Sequence, residues 1–214
     1  MGSVAPGQRV PNRLGEGERL RQEILDSATR ILEESGREDA LSLRGIAREV
    51  GIAAPSIYLH FKNKTDLIWA VLDTAYSALA SAMVEAERSA AASDRDAWGQ
   101  LCAAADAYRR FAVDNPRRYQ LMFSLEQQAS AERRVTGHPL TRVLHAWTDA
   151  VERYLTAACP ERREEAGRLG ILLWTGMHGQ FALWHTLPHP HAENEAVLAE
   201  LQEALVRGLL LPSD

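Results

Sequence analysis

Four cationic side chains lie within residues 41–64, where one carboxylate, Glu49, opposes them. They are Arg44, Arg48, Lys62 and Lys64. Binding to phosphate groups requires such a local excess of cations, but it does not require a basic protein. The chain as a whole has a formal net charge of −5. The local pattern, and not the overall charge, therefore indicates phosphate chemistry.

Two short helices joined by a turn are predicted to position these side chains. Ser42 is suited to cap a helix over 43–50, and Gly51 to end it in the left-handed conformation. Pro55 suits the first turn of a second helix, because its missing N–H would have no partner there. The turn 51–54 has the length of a helix-turn-helix connection.

The second helix is too short to be stable alone, so neighbouring segments must hold its inner side. Ile46 and Ile57 are predicted to pack between the two helices. A docked helix of this kind can enter the major groove of DNA and present its first residues to base edges. The outward side chains that would do so are Ser56, Tyr58 and Leu59.

The segment 41–73 resembles the DNA-binding region of the TetR/AcrR family of regulators, with the sequence LSLRGIAREVGIAAPSIYLHFKNKTDLIWAVLD. The shared features are a Ser and an Arg opening one helix, a Gly-Ile turn, a Ser-Ile-Tyr-x-His-Phe segment and a Lys-x-Lys pair. The resemblance implies a repressor that binds a palindromic double-stranded DNA operator as a dimer. It also implies that a small hydrophobic or aromatic molecule releases the repressor.

The resemblance implies the DNA contacts as well: Ser42, Arg44, Ala54, Pro55, Ser56, Tyr58, Leu59, His60, Lys62 and Lys64. Ala54 stands where family members carry a hydrogen-bonding side chain. Base recognition would then rest on Arg44, on apolar contact with thymine methyl groups and on DNA shape. Structural alternatives stay open: Tyr58 as a core aromatic, His60 as a capping or packing residue, and Arg44, Lys62 and Lys64 as solvated charges.

The rest of the chain continues in helical periodicity without a strand pattern, which predicts an all-α fold of about nine helices. A flexible arm is predicted for 1–17, a helix-turn-helix domain for 18–64, and a ligand-binding and dimerisation domain for 65–214. Within the last, helices are predicted near 64–88, 96–114, 115–123, 139–158, 161–185 and 194–210, with a polar loop at 126–137.

The second half resembles a version of the family's ligand-binding domain named for a Trp-His-Gly signature, through AYRRFAVDNPRRYQLMF and the spaced Trp174, His178 and Gly179. A small-molecule effector is implied. Its candidate contacts are Trp98, Tyr108, Phe111, Tyr119, Phe123, Trp147, Trp174, Met177, His178 and Phe181. Aromatic residues also dominate helical cores, so core packing is the alternative for each of them. His178 needs a polar partner in either case.

The last two predicted helices, 161–185 and 194–210, are expected to pair with their copies in a homodimer. Gly167, Gly170 and Gly176 would allow helix backbones to approach closely there. No catalytic or phosphate-cradling motif occurs, so neither an enzyme nor a cofactor is expected. A helical small-molecule-binding protein or enzyme with an incidental helix-turn-helix, and a transcriptional activator, stay as alternatives.

Cys102 and Cys159 lie alone and form no disulfide framework, which indicates a reducing cytoplasm; a redox-sensing thiol is the alternative. His185, His189 and His191 span a predicted helix end and a Pro-x-Pro loop without a cysteine nearby. No metal is expected, with metal binding by these histidines as the alternative. No apolar run reaches the ~18–20 residues that span a bilayer, so no membrane partner is expected.

Overall fold

A computed structural model describes residues 16–124, 138–184 and 194–211 of the chain. These ranges contain nine α-helices, two short 3₁₀ helices and no strand, which confirms the predicted all-α fold. The α-helices are α1 (Glu16–Ser35), α2 (Leu43–Val50), α3 (Ala54–Ile57), α4 (Lys64–Ala92), α5 (Ala97–Asp114), α6 (Pro116–Ser124), α7 (Thr141–Ala158), α8 (Ala166–Trp184) and α9 (Asn194–Leu210). The predicted arm up to residue 15, the predicted 126–137 loop and the three histidines 185, 189 and 191 lie outside the described residues.

The chain divides into two compact units, Met1–Leu72 and Asp73–Asp214. Their boundary falls within the continuous helix α4. The predicted division after residue 64 stays a prediction. Helix α1 begins at Glu16, so the last two residues assigned to the arm are helical.

The first unit is built around short helices that local signals begin and end. The Ser42 hydroxyl accepts a hydrogen bond from the Gly45 N–H at 2.9 Å, which caps α2. Gly51 ends α2 at φ +77°, a left-handed conformation that favours glycine. Ile46 and Ile57 are both fully buried, as expected for residues that hold α2 and α3 together.

Helix α4 extends four residues beyond its predicted end at residue 88. Its last residues are alanines, which are the strongest helix formers, and Asp94 follows at φ +55°. By length and composition alone α4 could cross a bilayer. This is weak evidence, because Leu67, Leu79 and Met83 are buried as in a core helix of a soluble protein.

In the second unit, α7 packs against both α5 and α8, and α8 packs against α9. At Gly170 of α8 an added Cβ would lie 2.8 Å from Thr148 Cα, and at Gly176 it would lie 2.6 Å from Leu205 Cδ2. Both glycines therefore allow close packing within one chain, and not between copies as the sequence suggested. Gly167 has open space around it.

A 3₁₀ helix, Pro160–Glu165, precedes α8 where the sequence predicted the start of a long α-helix. The Arg162 guanidinium donates to the Leu210 carbonyl at 2.9 Å, near the end of α9. This long-range contact is absent from local sequence signals, which explains why the boundary was predicted wrongly.

Candidate nucleic-acid interface and aromatic cluster

The outward side of α3 and of the turn after it exposes two large apolar side chains. Tyr58 is 48% exposed and Leu59 is 85% exposed, whereas Ile57 and Phe61 are buried on the inner side. Backbone hydrogen bonds continue the helical path past α3, with the Phe61 N–H donating to the Ile57 carbonyl at 3.0 Å. The side chains beyond Ile57 are thus held in a defined orientation.

The cations around this surface are mostly unopposed. Arg44, Arg48 and Lys62 are exposed and form no ion pair with any residue that the structure describes. Glu49, the carboxylate of this stretch, accepts hydrogen bonds from Arg30 at 2.5 Å and from Ser27 at 2.7 Å. These hydrogen bonds, that from Arg30 first, lower the pKa of Glu49. The carboxylate is therefore engaged with α1.

The other predicted DNA contacts lie on the same stretch but differ in availability. Ala54 and Pro55 are exposed in the first turn of α3, and Ser56 and His60 are half-buried. Ser42 is exposed, but its hydroxyl already caps α2. A short list completes the set: Lys64 is half-buried, with its Nζ 3.8 Å from Glu38 Oε1.

The first turn of α4 carries its own side-chain caps. Asn63 Oδ1 accepts from the Asp66 N–H at 2.7 Å, as the predicted capping box requires. Asp66 Oδ2 accepts from the Lys62 N–H at 3.2 Å. The sequence suggested that Lys64 and the positive end of this helix bind phosphate together. The caps place a carboxylate at that end, so the lysine side chains carry the larger part of any phosphate attraction.

A cluster of aromatic rings occupies the interior of the second unit. Tyr108 lies at its centre, with ring centroids 5.5 Å from Trp147, 6.0 Å from Phe181 and 6.1 Å from Tyr119. Such spacings suit edge-to-face and tilted pairs. The cluster comprises Tyr108, Tyr119, Phe123, Trp147, His178 and Phe181, all of them predicted ligand contacts.

Three polar groups form a hydrogen-bonded chain through this cluster. The Tyr119 hydroxyl lies 2.9 Å from the Tyr108 hydroxyl and 2.8 Å from His178 Nδ1. Burial raises the pKa of both tyrosines, so both keep their protons at neutral pH. Burial lowers the pKa of His178, which favours the neutral ring.

The remaining predicted ligand contacts stand apart from the cluster or at its edge. Trp98 packs on Tyr154, with centroids 5.5 Å apart, and under the guanidinium of Arg207. Phe111 is half-buried and forms no ring pair with the described residues. Met177 is fully buried, and the Trp174 indole lies beside the Tyr108 hydroxyl without the alignment of a hydrogen bond.

Sequence reasoning missed Tyr76 of α4. Its hydroxyl donates to the Met122 carbonyl at 3.0 Å, and its ring lies 5.9 Å from Phe123. The predicted stripe of α4 included Ala75, and a wider apolar face would have included its neighbour Tyr76. Two surface grooves of about 370 and 650 Å³ also occur beside α7, but none of the predicted ligand contacts lines either groove.

The low pKa of His178 predicts a dependence of stability on pH. The unfolded chain, with the ordinary value of 6.5, binds more protons than the folded chain. The stabilisation is therefore complete above 6.5 and is lost as the pH falls towards the folded value. We expect urea denaturation at pH 7.5 and 5.5 to show a larger loss of unfolding free energy for the parent than for His178→Phe. Equal losses in both proteins would contradict the prediction.

Comparison with known proteins adds two family models. Residues 24–71 match bacterial regulatory proteins of the tetR family, and residues 101–209 match the tetracyclin repressor-like C-terminal domain. The second match alone spans half of the chain. Among the described residues, no group of three or more potential ligands could hold a metal ion.

Curated relatives and solved structures agree with these models. The HTH-type transcriptional regulator Mb1846 of Mycobacterium bovis is 32% identical over 67% of this chain and 60% of its own length. The HTH-type transcriptional activator FasR of Mycolicibacterium smegmatis is 31% identical over 64% of this chain and 62% of its own. The chain thus matches about three fifths of these relatives' lengths. The crystal structure of the putative regulatory protein SCO4313 is 26% identical, covers 94% of this chain and 100% of its own, and has a TM-score of 0.65.

Proposed function

The chain belongs to the TetR family of bacterial regulatory proteins, and from this premise we propose that it is a cytoplasmic repressor that binds a palindromic operator as a homodimer. The observation that carries the proposal is the exposed surface of Tyr58 and Leu59 beside the unopposed Arg44 and Lys62. An apolar and aromatic surface with a cationic rim fits base edges and thymine methyl groups flanked by phosphates.

Replacement of Tyr58 by alanine tests this interface. We expect operator binding to weaken by about 1–3 kcal/mol, because the variant loses a contact to the backbone or groove while the buried side of α3 is unchanged. Fluorescence anisotropy at fixed salt, with DNA from upstream of the protein's own gene, measures the change. The matched control is Val84→Ala, which truncates an exposed apolar side chain of the second unit. Equal weakening by both variants, or by neither, would count against the interface.

The homodimer is proposed from the exposed apolar residues of α8 and α9. These side chains are 38–64% exposed and comprise Ile171, Leu172, Leu183, Val197 and Leu201. Most of the large exposed apolar side chains of the described residues are in this set, and an exposed apolar patch marks an interaction surface. The two-fold symmetry of such a dimer would match a palindrome whose half-sites lie ~34–36 Å apart.

Release by a small molecule is proposed from the aromatic cluster of the second unit. A ligand that binds one arrangement of the dimer better than another lowers DNA affinity by its difference in affinity for the two. Helix α4 contributes residues to both units and is the element proposed to transmit the change.

Activation is the second candidate, because one relative, FasR, is named a transcriptional activator. A reporter fused to the operator distinguishes the two functions in a strain that lacks the gene. Higher reporter expression in that strain than in the parent supports repression, and lower expression supports activation.

A further inference from the structure

The order of protons along the chain of Tyr108, Tyr119 and His178 can be assigned from hydrogen-bond partners. Within these three groups two orders exist. In the first, Tyr108 donates to Tyr119, and Tyr119 donates to His178 Nδ1. In the second, His178 Nδ1–H donates to Tyr119, and Tyr119 donates to Tyr108.

The second order would leave the Tyr108 proton without an acceptor. Tyr108 is fully buried, and within the described part of the chain its hydroxyl has Tyr119 as its hydrogen-bond partner. A buried donor without an acceptor costs about 1–3 kcal/mol. The first order gives every proton of the three groups an acceptor, so His178 accepts at Nδ1 and its ring proton is on Nε2.

The Nε2–H of His178 is therefore a donor that the protein itself does not use. Nε2 has no hydrogen-bond partner among the described residues, and His178 is half-buried against Phe123, with centroids 3.9 Å apart. The nearby region has further unused donors, since the buried Nε1–H groups of Trp147 and Trp174 have no partner among the described residues. Trp147 is itself fully buried.

An acceptor is thus what this region lacks. Gln180 Oε1 is an unpaired acceptor on α8, but two residues along a helix place it on the opposite side from His178. The neighbours of His178, Phe123 and Tyr119, are uncharged rings. A carboxylate held there without a paired cation would be costly, whereas a carbonyl oxygen needs one donor only.

We propose that His178 is a specificity-determining residue whose Nε2–H donates to an uncharged carbonyl oxygen on an otherwise apolar effector. Tyr119 is a positioning residue that holds the ring in this tautomer. The inference rests on the proposed function, since it names the chemical class of molecule that the regulator would sense.

Three matched probes test the inference on the full-length protein: 9-fluorenone, fluorene and fluorene-9-carboxylate. They share one ring skeleton and differ in having a carbonyl, no polar group or a negative charge. Dissociation constants come from equilibrium dialysis below the solubility limits. We expect the parent to bind fluorenone about 3- to 10-fold more tightly than fluorene, as one net hydrogen bond provides, and to bind the carboxylate more weakly than fluorenone.

The preference between probes distinguishes a hydrogen bond from general packing. In His178→Phe the ratio of fluorenone to fluorene affinity should fall to about one, and in Tyr119→Phe it should fall below that of the parent. His178→Gln, which retains a donor, should restore part of it. The inference is overturned by equal affinities in the parent, by a ratio unchanged in His178→Phe, by tighter binding of the carboxylate, or by no binding of any probe.

The same proteins are tested with DNA from upstream of the gene, so that the two proposals fail separately. If the parent shows the probe preference but does not bind DNA, the proposed function fails and the His178 assignment stands. If the parent binds DNA but does not discriminate between the probes, the assignment alone fails. Should His178→Phe not fold, the Tyr119→Phe and His178→Gln ratios decide the outcome.

Discussion

Replacement of Leu201 by glutamate should convert the protein from a dimer to a monomer. Leu201 is 46% exposed on α9, and in the proposed interface two symmetry-related glutamates would be buried in an apolar surface without a cation. An uncompensated buried charge costs about 3–5 kcal/mol, which corresponds to more than about 100-fold in the dissociation constant. Sedimentation equilibrium over a range of protein concentrations measures the shift.

The matched control for this prediction is Val84→Glu. Val84 is 40% exposed on α4, outside the two helices of the proposed interface. The control variant should remain dimeric and keep its affinity for a two-half-site operator, whereas Leu201→Glu should lose most of that affinity. A dimeric Leu201→Glu protein, or a parent that sediments as a monomer, would refute the proposed interface.

Local signals in the sequence were sufficient for most helix bounds. Ser42 and Gly51 mark the ends of α2, and the predicted bounds of α2 and α9 agree with the structure. Caps and glycine turns act on neighbouring backbone groups, so their effect can be deduced without the tertiary structure. The family resemblance was likewise carried by a contiguous segment, and the family is confirmed. The Trp-His-Gly subtype stays a prediction.

Long-range packing was the part that the sequence could not supply. Trp98 and Tyr108 lie on one predicted face of α5, yet Trp98 contacts Tyr154 while Tyr108 contacts Trp147 and Phe181. The face of a helix indicates that a residue is inside, but the neighbouring helices decide which residues it meets. The partner of His178 was unknown from the sequence for the same reason, because Tyr119 is 59 positions away.

Two glycines of α8 provide the sharpest test of how closely the helices pack. In Gly170→Ala the new Cβ would lie 2.7 Å from Thr148 Cγ2 and 2.8 Å from Thr148 Cα. A side-chain end can move, but the backbone of α7 cannot move without disturbing its packing. We expect Gly170→Ala to lower the free energy of unfolding by about 1–3 kcal/mol, despite the better helix propensity of alanine.

Gly167→Ala is the same substitution one helical turn earlier in α8, at an exposed position with no atom within 4 Å of the added Cβ. There the helix propensity of alanine acts alone, and stability should rise by about 0.5–1 kcal/mol. Urea denaturation of both variants at one protein concentration measures the two effects. Opposite signs would show that the contact between α7 and α8 requires glycine at residue 170, because propensity is the same at both sites. Stabilisation by both substitutions would mean that α7 and α8 can separate at little cost.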